Sequence, residues 1–108
     1  MNALKNSIQL QGIIHGEILF HEKLGSTPAA SFELLITDNF KDGTKQDFLM
    51  SVIARNRMDS MVVQYCRDDI RPGDVVNVVG YIKKNSWLEN GHQVYILPKY
   101  IQKTRGLR

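Results

Sequence analysis

The chain of 108 residues has room for one domain of ordinary size, and its 43% hydrophobic and 23% charged residues are typical of a folded globular protein. No apolar run approaches the roughly 20 residues that a membrane-spanning helix needs. The first residues lack the apolar stretch of a signal peptide, and the single Cys66 excludes an internal disulfide. These features exclude a disulfide-rich toxin, a membrane protein and a multidomain enzyme. We therefore expect a cytoplasmic protein with one domain over residues 1–108.

The net charge of +3 is unevenly distributed along the chain. Residues 1–74 contain eight basic and ten acidic groups, whereas residues 75–108 contain six basic groups and Glu89 alone as an acidic one. This basic excess either keeps the protein soluble or creates a local positive field that attracts a polyanion.

Five stretches alternate between apolar and polar residues, as half-buried strands do. They cover residues 6–14 with a continuation through Phe20, residues 31–37, residues 48–55, residues 75–82 and residues 93–101. Gly12 predicts a bulge or bend, and Pro98 predicts a strand edge or end. Residues 25–28 have the composition of a loop, and Asp42-Gly43 and Asn90-Gly91 predict hairpin turns, the first within a polar loop over residues 38–45.

The alternation also assigns faces to the strands. Phe32, Leu34 and Ile36 share one face of the second strand and are predicted to be buried. The third strand carries apolar residues on both faces, and we place Phe48 on its core face. Leu49 and Arg55 then lie on the opposite face.

One helix is predicted between the third and fourth strands. Asn56 is suited to cap it, and Asp59 lies in its first turn. Cys66 has no neighbouring base in the sequence and is predicted to be a small core residue. The apolar stripe at helical spacing consists of Met58, Met61, Val62 and Tyr65.

Three strands, one short helix and a final hairpin follow one another in the order of an OB-fold. That fold is all-β with one short helix, a five-stranded Greek-key barrel that commonly binds oligonucleotides or oligosaccharides. An SH3-like barrel is the alternative, but it does not ordinarily place a helix between the third and fourth strands.

The sequence contains no catalytic motif. It has no nucleophile elbow, no phosphate-binding glycine loop and no dinucleotide fingerprint, and its three histidines lack metal-ligand spacing. Residues 38–43 are superficially similar to a calcium loop, but Leu49 stands where the bidentate Glu would be needed. We therefore expect no enzymatic activity, no metal and no cofactor.

Aromatic residues close to lysines are the candidates for binding. Strand parity places Trp87 on the same face as Tyr81 and Lys83, with Lys84 adjacent. A lone Trp is either a core residue or, on the surface beside cations, a platform on which bases stack.

Phe40 lies in a polar loop with Lys41 and Lys45 nearby. This phenylalanine either packs under the barrel or stacks on a base. Arg55 either contacts a phosphate or base or is the solvated end of a strand.

The order and spacing of these segments resemble the bacterial single-stranded DNA-binding proteins and their relative, the primosomal replication protein B. The best match is residues 73–82 followed by Trp87, because the family has a stacking Trp seven residues beyond the glycine that corresponds to Gly80. The other matching segments are Asn6 to Ile14, which is similar to the family's Asn-x-Val/Ile-x-Leu-x-Gly first strand; Phe32-Glu33-Leu34; Phe40-Lys41-Asp42, which is similar to Trp-Lys/Arg-Asp; and Val52-Ile53-Ala54.

The resemblance implies four stacking positions, at Phe40, Leu49, Arg55 and Trp87. Leu49 and Arg55 depart from the aromatic residues that the family has there, which suggests weaker or differently distributed binding. The family's replication members end in an acidic tip that recruits other proteins, whereas residues 102–108 of this chain are basic.

The expected function is sequence-tolerant, non-catalytic binding of single-stranded DNA in replication, recombination or repair. One alternative is a module whose main partner is another replication or recombination protein, and a weaker one is an OB-fold nuclease. The resemblance implies a homodimer or homotetramer. Outward Ile53, Val75 and Val79 agree with a partner subunit, because exposed apolar patches usually meet one.

Overall fold

The computed structural model describes residues 6–24, 27–56, 61–84 and 94–104. Its elements are β1 (Ile8–Leu24), β2 (Thr27–Asn39), β3 (Lys45–Arg55), α1 (Val62–Asp68), β4 (Val75–Lys84) and β5 (Val94–Lys103). The strands form a closed barrel in the order β1-β2-β3-β5-β4, with β4 returning to pair with β1. All pairs are antiparallel except β3 with β5, where Val52 lies opposite Ile96. The predicted OB-fold is confirmed.

The interior of the barrel is filled by every second residue of its strands, because successive side chains point to opposite faces. Phe32 and Leu34 of β2 and Val52 of β3 are buried, as are Val76 and Val78 of β4. The predicted core faces of the second and fourth strands are therefore confirmed in this part of the barrel.

Helix α1 packs on the barrel with a different face from the predicted one. Val62, Val63 and Cys66 are buried, whereas Met61 is 62% exposed. The turn after the helix adds a fourth buried residue, Ile70. The predicted residues Met58 and Asp59 lie outside the described part of the chain.

Three side-chain contacts hold the helix in place. Asn56 Oδ1 accepts a hydrogen bond of 2.8 Å from the Val63 amide, so it does cap the first turn, although Met61 occupies the capping position. The hydroxyl of the half-buried Tyr65 accepts a bond of 3.0 Å from the Lys103 amide. The Arg67 guanidinium lies 4.5 Å from the centre of the Phe20 ring, a cation–π distance that connects α1 to β1.

The irregularities of the strands are not where the sequence predicts them. The register of β1 shifts between His15 and Leu19, around Gly16 with φ of 75°, and not at the predicted Gly12. Gly12 is needed for a different reason, because a Cβ there would lie 2.6 Å from the Leu35 carbonyl oxygen.

Pro98 does not mark a strand edge or end. It is fully buried within β5, opposite Gly80, at a register shift of the β4–β5 ladder. A Cβ on Gly80 would overlap the backbone of Leu97, so glycine is required for the two strands to approach. Pro98 thus lies next to a β-bulge, one of the places within a sheet where proline is tolerated.

Two predicted loops are shorter than expected. β2 begins at Thr27, so residues 27 and 28 belong to a strand, while residues 25 and 26 are not described. β2 and β3 stay paired as far as Asn39 and Lys45, which leaves residues 40–44 as the connection. Every residue from Thr37 to Leu49 is exposed, so this part of the hairpin extends beyond the barrel. We call residues 37–49 the arm.

Candidate nucleic-acid interface

The tip of the arm is a hydrogen-bonded turn that presents an aromatic ring. The Phe40 amide donates to the Thr44 carbonyl at 2.9 Å, and the Gly43 amide donates to the Phe40 carbonyl at 3.0 Å. Gly43 has φ of 91°, a conformation that glycine adopts without steric cost. Phe40 is 48% exposed at this tip, with Lys41 next to it. The alternative that Phe40 packs under the barrel is therefore wrong.

Asp42 fixes the shape of the same turn. Thr44 donates its hydroxyl at 2.6 Å and its amide at 3.0 Å to Asp42 Oδ1. The hydroxyl bond, followed by the amide bond, lowers the pKa of the Asp42 carboxyl below its ordinary value of 3.8. The carboxylate thus stays ionised and accepts a backbone hydrogen bond that stabilises the turn.

The outward face of β3 connects the arm to the barrel. Lys45 faces Asn39 at the start of the strand, and Leu49, which is 49% exposed, faces Leu35. Arg55 lies on the same face at the far end, about 33 Å from Lys45 at about 3.3 Å per residue. The structure therefore brings Phe40, Lys41, Lys45 and Leu49 together on the arm and leaves Arg55 at the opposite end of the strand.

Phe48 is an aromatic residue that the sequence interpretation left out of the site. Its parity was assigned correctly, since it pairs with the buried Ile36, but Phe48 itself is 36% exposed. The reason is that β3 has not yet entered the barrel at this position. The signal in the sequence was the apolar residues on both faces of the third strand.

The second group of candidates lies on β4. Tyr81 and Lys83 occupy outward positions, and Lys84 ends the strand. The side-chain amide of Asn6 donates to the Ile82 carbonyl at 2.7 Å and accepts from the Ile82 amide at 2.8 Å. Asn6 thereby continues the β1–β4 ladder beyond its last pair, Ile8 with Gly80, and fixes the segment that carries both cations. Trp87 lies outside the described residues, so its stacking role stays a prediction.

A row of apolar side chains crosses four strands on the outside of the barrel. The cross-strand register aligns Leu49 with Leu35, Leu35 with Ile13, and Ile13 with Val75. Farther along β4, half-buried Val79 lies opposite Tyr100 of β5, which is 48% exposed. Sequence analysis identified Val75 and Val79 as outward but missed Tyr100 and the alignment, which depends on the register.

Two further features of the described residues concern metal ligands and the single cysteine. Within residues 6–24, 27–56, 61–84 and 94–104, no three His, Cys, Asp or Glu side chains are grouped so that they could hold a metal ion. Burial raises the pKa of the Cys66 thiol from 9.0 to about 12, which keeps it protonated. In the same part of the chain, no helix is long and apolar enough to span a bilayer.

Comparison with known proteins finds similar folds but no match by sequence. No protein-family model matches the chain, and no curated protein does. Among solved structures, the small single-stranded DNA-binding protein of Streptomyces coelicolor has a TM-score of 0.71 at 21% identity, over 96% of this chain and 100% of that one. The SSB of Plasmodium falciparum, solved with single-stranded DNA, has a TM-score of 0.75 at 20% identity, over 97% and 100%.

The structural likeness extends to the primosomal protein. The dimeric N-terminal domain of PriB from Thermoanaerobacter tencongensis has a TM-score of 0.64 at 14% identity, over 94% of this chain and 98% of that one. The three structures match nearly the whole barrel and are matched over nearly their whole length. This chain therefore has the fold of the SSB and PriB proteins, as the sequence resemblance implied.

Proposed function

We propose that this chain is a non-catalytic, sequence-tolerant binder of single-stranded DNA that acts in replication, recombination or repair. The observation that carries the proposal is the exposed Phe40 ring, held next to Lys41 by a hydrogen-bonded turn at the tip of the arm. An exposed aromatic ring between polar neighbours gains free energy when a base covers it. The fold it shares with an SSB solved with single-stranded DNA supports the same conclusion.

Binding combines stacking with neutralisation of phosphates. Phe40 offers one ring face, and every base has a π-face, so the contact tolerates any sequence. Lys41 follows Phe40 in the turn, Lys45 faces Asn39 across the hairpin, and Lys83 and Lys84 form a second cationic group on β4. The family resemblance adds Trp87 as a further stacking residue beyond Lys84. Leu49 offers an apolar surface to a base, and Arg55 extends the path toward the far end of β3.

The test of stacking is the affinity of Phe40 variants for a labelled oligo-dT, measured by fluorescence anisotropy. Phe40→Ala is expected to weaken binding by about 1–3 kcal/mol, whereas Phe40→Trp retains it. Phe20→Ala is the control, because that ring lies beneath Arg67 at the helix and not on the arm. Unchanged affinity in Phe40→Ala would contradict the assignment. No binding by the unmodified protein would favour the protein-interaction module.

The test of phosphate contact is the salt dependence of the same affinity. For single strands, log K falls with log salt with a slope of about −0.7 for each neutralised phosphate. Lys41→Gln with Lys45→Gln should make this slope shallower by about that amount for each phosphate that is no longer neutralised. Lys103→Gln is the control, since its ammonium group already lies 3.8 Å from Asp74. Equal slopes in all three proteins would show that the arm lysines do not contact phosphates.

We further propose that a second copy of the chain covers the apolar outer face of β1 and β4. Ile13 and Val75 are adjacent and exposed there, and exposed Tyr100 lies on the neighbouring strand. Val75→Glu should reduce the mass measured by light scattering from a multiple of 12.4 kDa to that of one chain. A single-chain mass for the unmodified protein would contradict self-association.

A further inference from the structure

A cavity of about 260 Å³ opens where β1, β2 and β3 approach β5, and its lining includes none of the residues proposed above for stacking and phosphate contact. It is somewhat smaller than typical pockets for drug-sized ligands, which span roughly 300–1,000 Å³, and a single planar ring system suits that size. We call it the Glu33 cavity. Its lining includes Glu17, Leu19, Glu33, Ser51, Ile53 and Val94.

The register explains how the cavity acquires one polar and one apolar side. Glu33 of β2 faces Ser51 of β3, and one step along the hairpin Ser31 faces Ile53. Leu19 of β1 lies opposite Ser31, and Val94 contributes from β5. A flat ring placed here would have apolar groups against its faces and a carboxylate at its edge.

The polar side presents hydrogen-bond acceptors. The Ser51 hydroxyl donates to both carboxylate oxygens of Glu33, at 3.0 Å and 3.2 Å, so its proton is already engaged. One shared proton does not saturate a carboxylate, which has about four acceptor sites. Glu17 brings a second carboxylate to the lining. Two carboxylates repel a phosphate, so the cavity fits the edge of a base and not the nucleic-acid backbone.

Cations lie beside the cavity, where the backbone of a bound single-stranded DNA would run. Val94, which lines the cavity, pairs across the sheet with Lys84, and its neighbour Tyr95 pairs with Lys83. The acidic cavity is thus bordered, on its β5 side, by β4 with its two lysines. This arrangement separates the contacts for a base from those for its phosphates.

Among the bases, guanine matches the acceptors best. Its Watson–Crick edge carries two adjacent donors, N1–H and the N2 amine, that can meet both oxygens of one carboxylate. Adenine and cytosine offer one amine beside an acceptor nitrogen, and thymine places one N–H between two carbonyl groups that a carboxylate repels. We propose that the Glu33 cavity receives a guanine of the bound strand and gives this protein a preference for single strands that contain guanine. The proposal rests on the proposed function.

The experiment compares oligonucleotides of equal length in which one central dT is replaced by dG, dA or deoxyinosine, at one salt concentration. The dG strand is expected to bind at least about fivefold more tightly than the all-dT strand, since a bidentate base contact is worth about 1–3 kcal/mol. Deoxyinosine lacks the N2 amine and should lose most of this gain. An equal gain for dA would show that purine stacking, and not the carboxylate, is responsible and would overturn the proposal.

Protein variants locate the contact. Glu33→Gln keeps the size of the side chain and should abolish the dG preference while leaving oligo-dT affinity unchanged or raised. Glu22→Gln makes the same charge change at an exposed position of β1 that does not line the cavity, and it should keep the preference. A dG preference that survives Glu33→Gln would overturn the assignment. Should Glu33→Gln fail to fold, the comparison of dG with deoxyinosine on the unmodified protein still tests the proposal. Equal affinity for these two strands would then overturn it.

The remaining outcomes separate the two proposals. Equal affinity for dG and dT strands overturns the cavity assignment and leaves single-strand binding intact, whereas no binding to any strand overturns the proposed function. Guanosine monophosphate is the probe for a free nucleotide. If it binds as tightly as the dG strand, the cavity is a mononucleotide site and the assignment to a strand-bound base is overturned.

Discussion

The two halves of the β2–β3 hairpin have the same backbone pairing but different surroundings. The barrel half consists of residues 27–36 and 50–55. In it, Leu34 and Val52 point inward and are fully buried, while their neighbours face outward. In the arm, both faces are exposed, and Thr37 donates to Asp47 at 2.6 Å across the strands. An isolated hairpin is marginally stable at best, so the arm depends on the barrel half that continues it. The stability of the hairpin thus comes from the barrel half, and we place the Phe40 stacking contact on the arm.

The sharpest test of this comparison is to shorten one leucine in each half. Leu34→Ala should lower the free energy of unfolding by about 2–5 kcal/mol, because it leaves a cavity in a packed core. Leu49→Ala removes an exposed side chain and should change it by no more than about 0.5 kcal/mol. Urea denaturation measures both. Similar losses for the two variants would show that the arm is packed and not exposed.

A second test adds binding surface to the arm. Leu49→Trp places an aromatic ring where the resembled family has one and should strengthen binding to oligo-dT by up to about 1–3 kcal/mol. The melting temperature should stay the same because residue 49 is exposed. Met61→Trp is the control, a more exposed position at the start of the helix. A gain of the same size in both variants would mean that an added ring acts non-specifically.

A third test, at Asn56 just after β3, should change stability and leave binding unchanged, with a smaller effect. Asn56→Ala removes the acceptor for the Val63 amide and should destabilise the fold by about 1 kcal/mol, while Asn56→Asp keeps the acceptor. Affinity for oligo-dT should be equal in both variants. A weaker affinity in Asn56→Ala would connect the helix to the binding site and break the separation of the two regions.

At neutral pH the last test shows no effect, because it concerns Cys66 and appears only at alkaline pH. Its folded pKa of about 12 lies above the ordinary 9.0 because of burial. The unfolded thiol therefore ionises first, so the contribution of Cys66 to stability is complete below pH 9 and declines as pH rises toward 12, by at most about 1.4 kcal/mol per unit. When the free energy of unfolding is plotted against pH, the curves for the unmodified protein and Cys66→Ala should run parallel below pH 9 and converge above it. Parallel curves up to pH 11 would contradict a protected thiol.

The sequence predicted the barrel well because burial leaves a period of two in the strands that it affects. Phe32 and Leu34 illustrate this, as both lie on the predicted core face. The arm could not be recognised in the same way, since exposed strands need no alternation, and residues 38–45 therefore have the composition of a loop. Phe48 was misjudged for the same reason, because parity gives the direction of a side chain and not whether anything covers it.

The candidate site divides along similar lines. The shared face of Leu49 and Arg55 and the outward position of Tyr81 followed from parity, and the structure confirms both. The Glu33 cavity could not be predicted, because Glu17, Glu33, Ser51 and Val94 come from four strands whose adjacency depends on register and on the bulge near Gly16.

The most direct measurement of the central claim is a two-dimensional amide NMR spectrum of the protein during titration with oligo-dT. If the arm binds the strand, the largest shift changes fall on residues 40–49 and on Lys83 and Lys84, and they diminish as salt is added. The amides of Val62 to Asp68 in α1 stay in place. Changes concentrated in α1, or none in the arm while binding is saturated, would contradict the account.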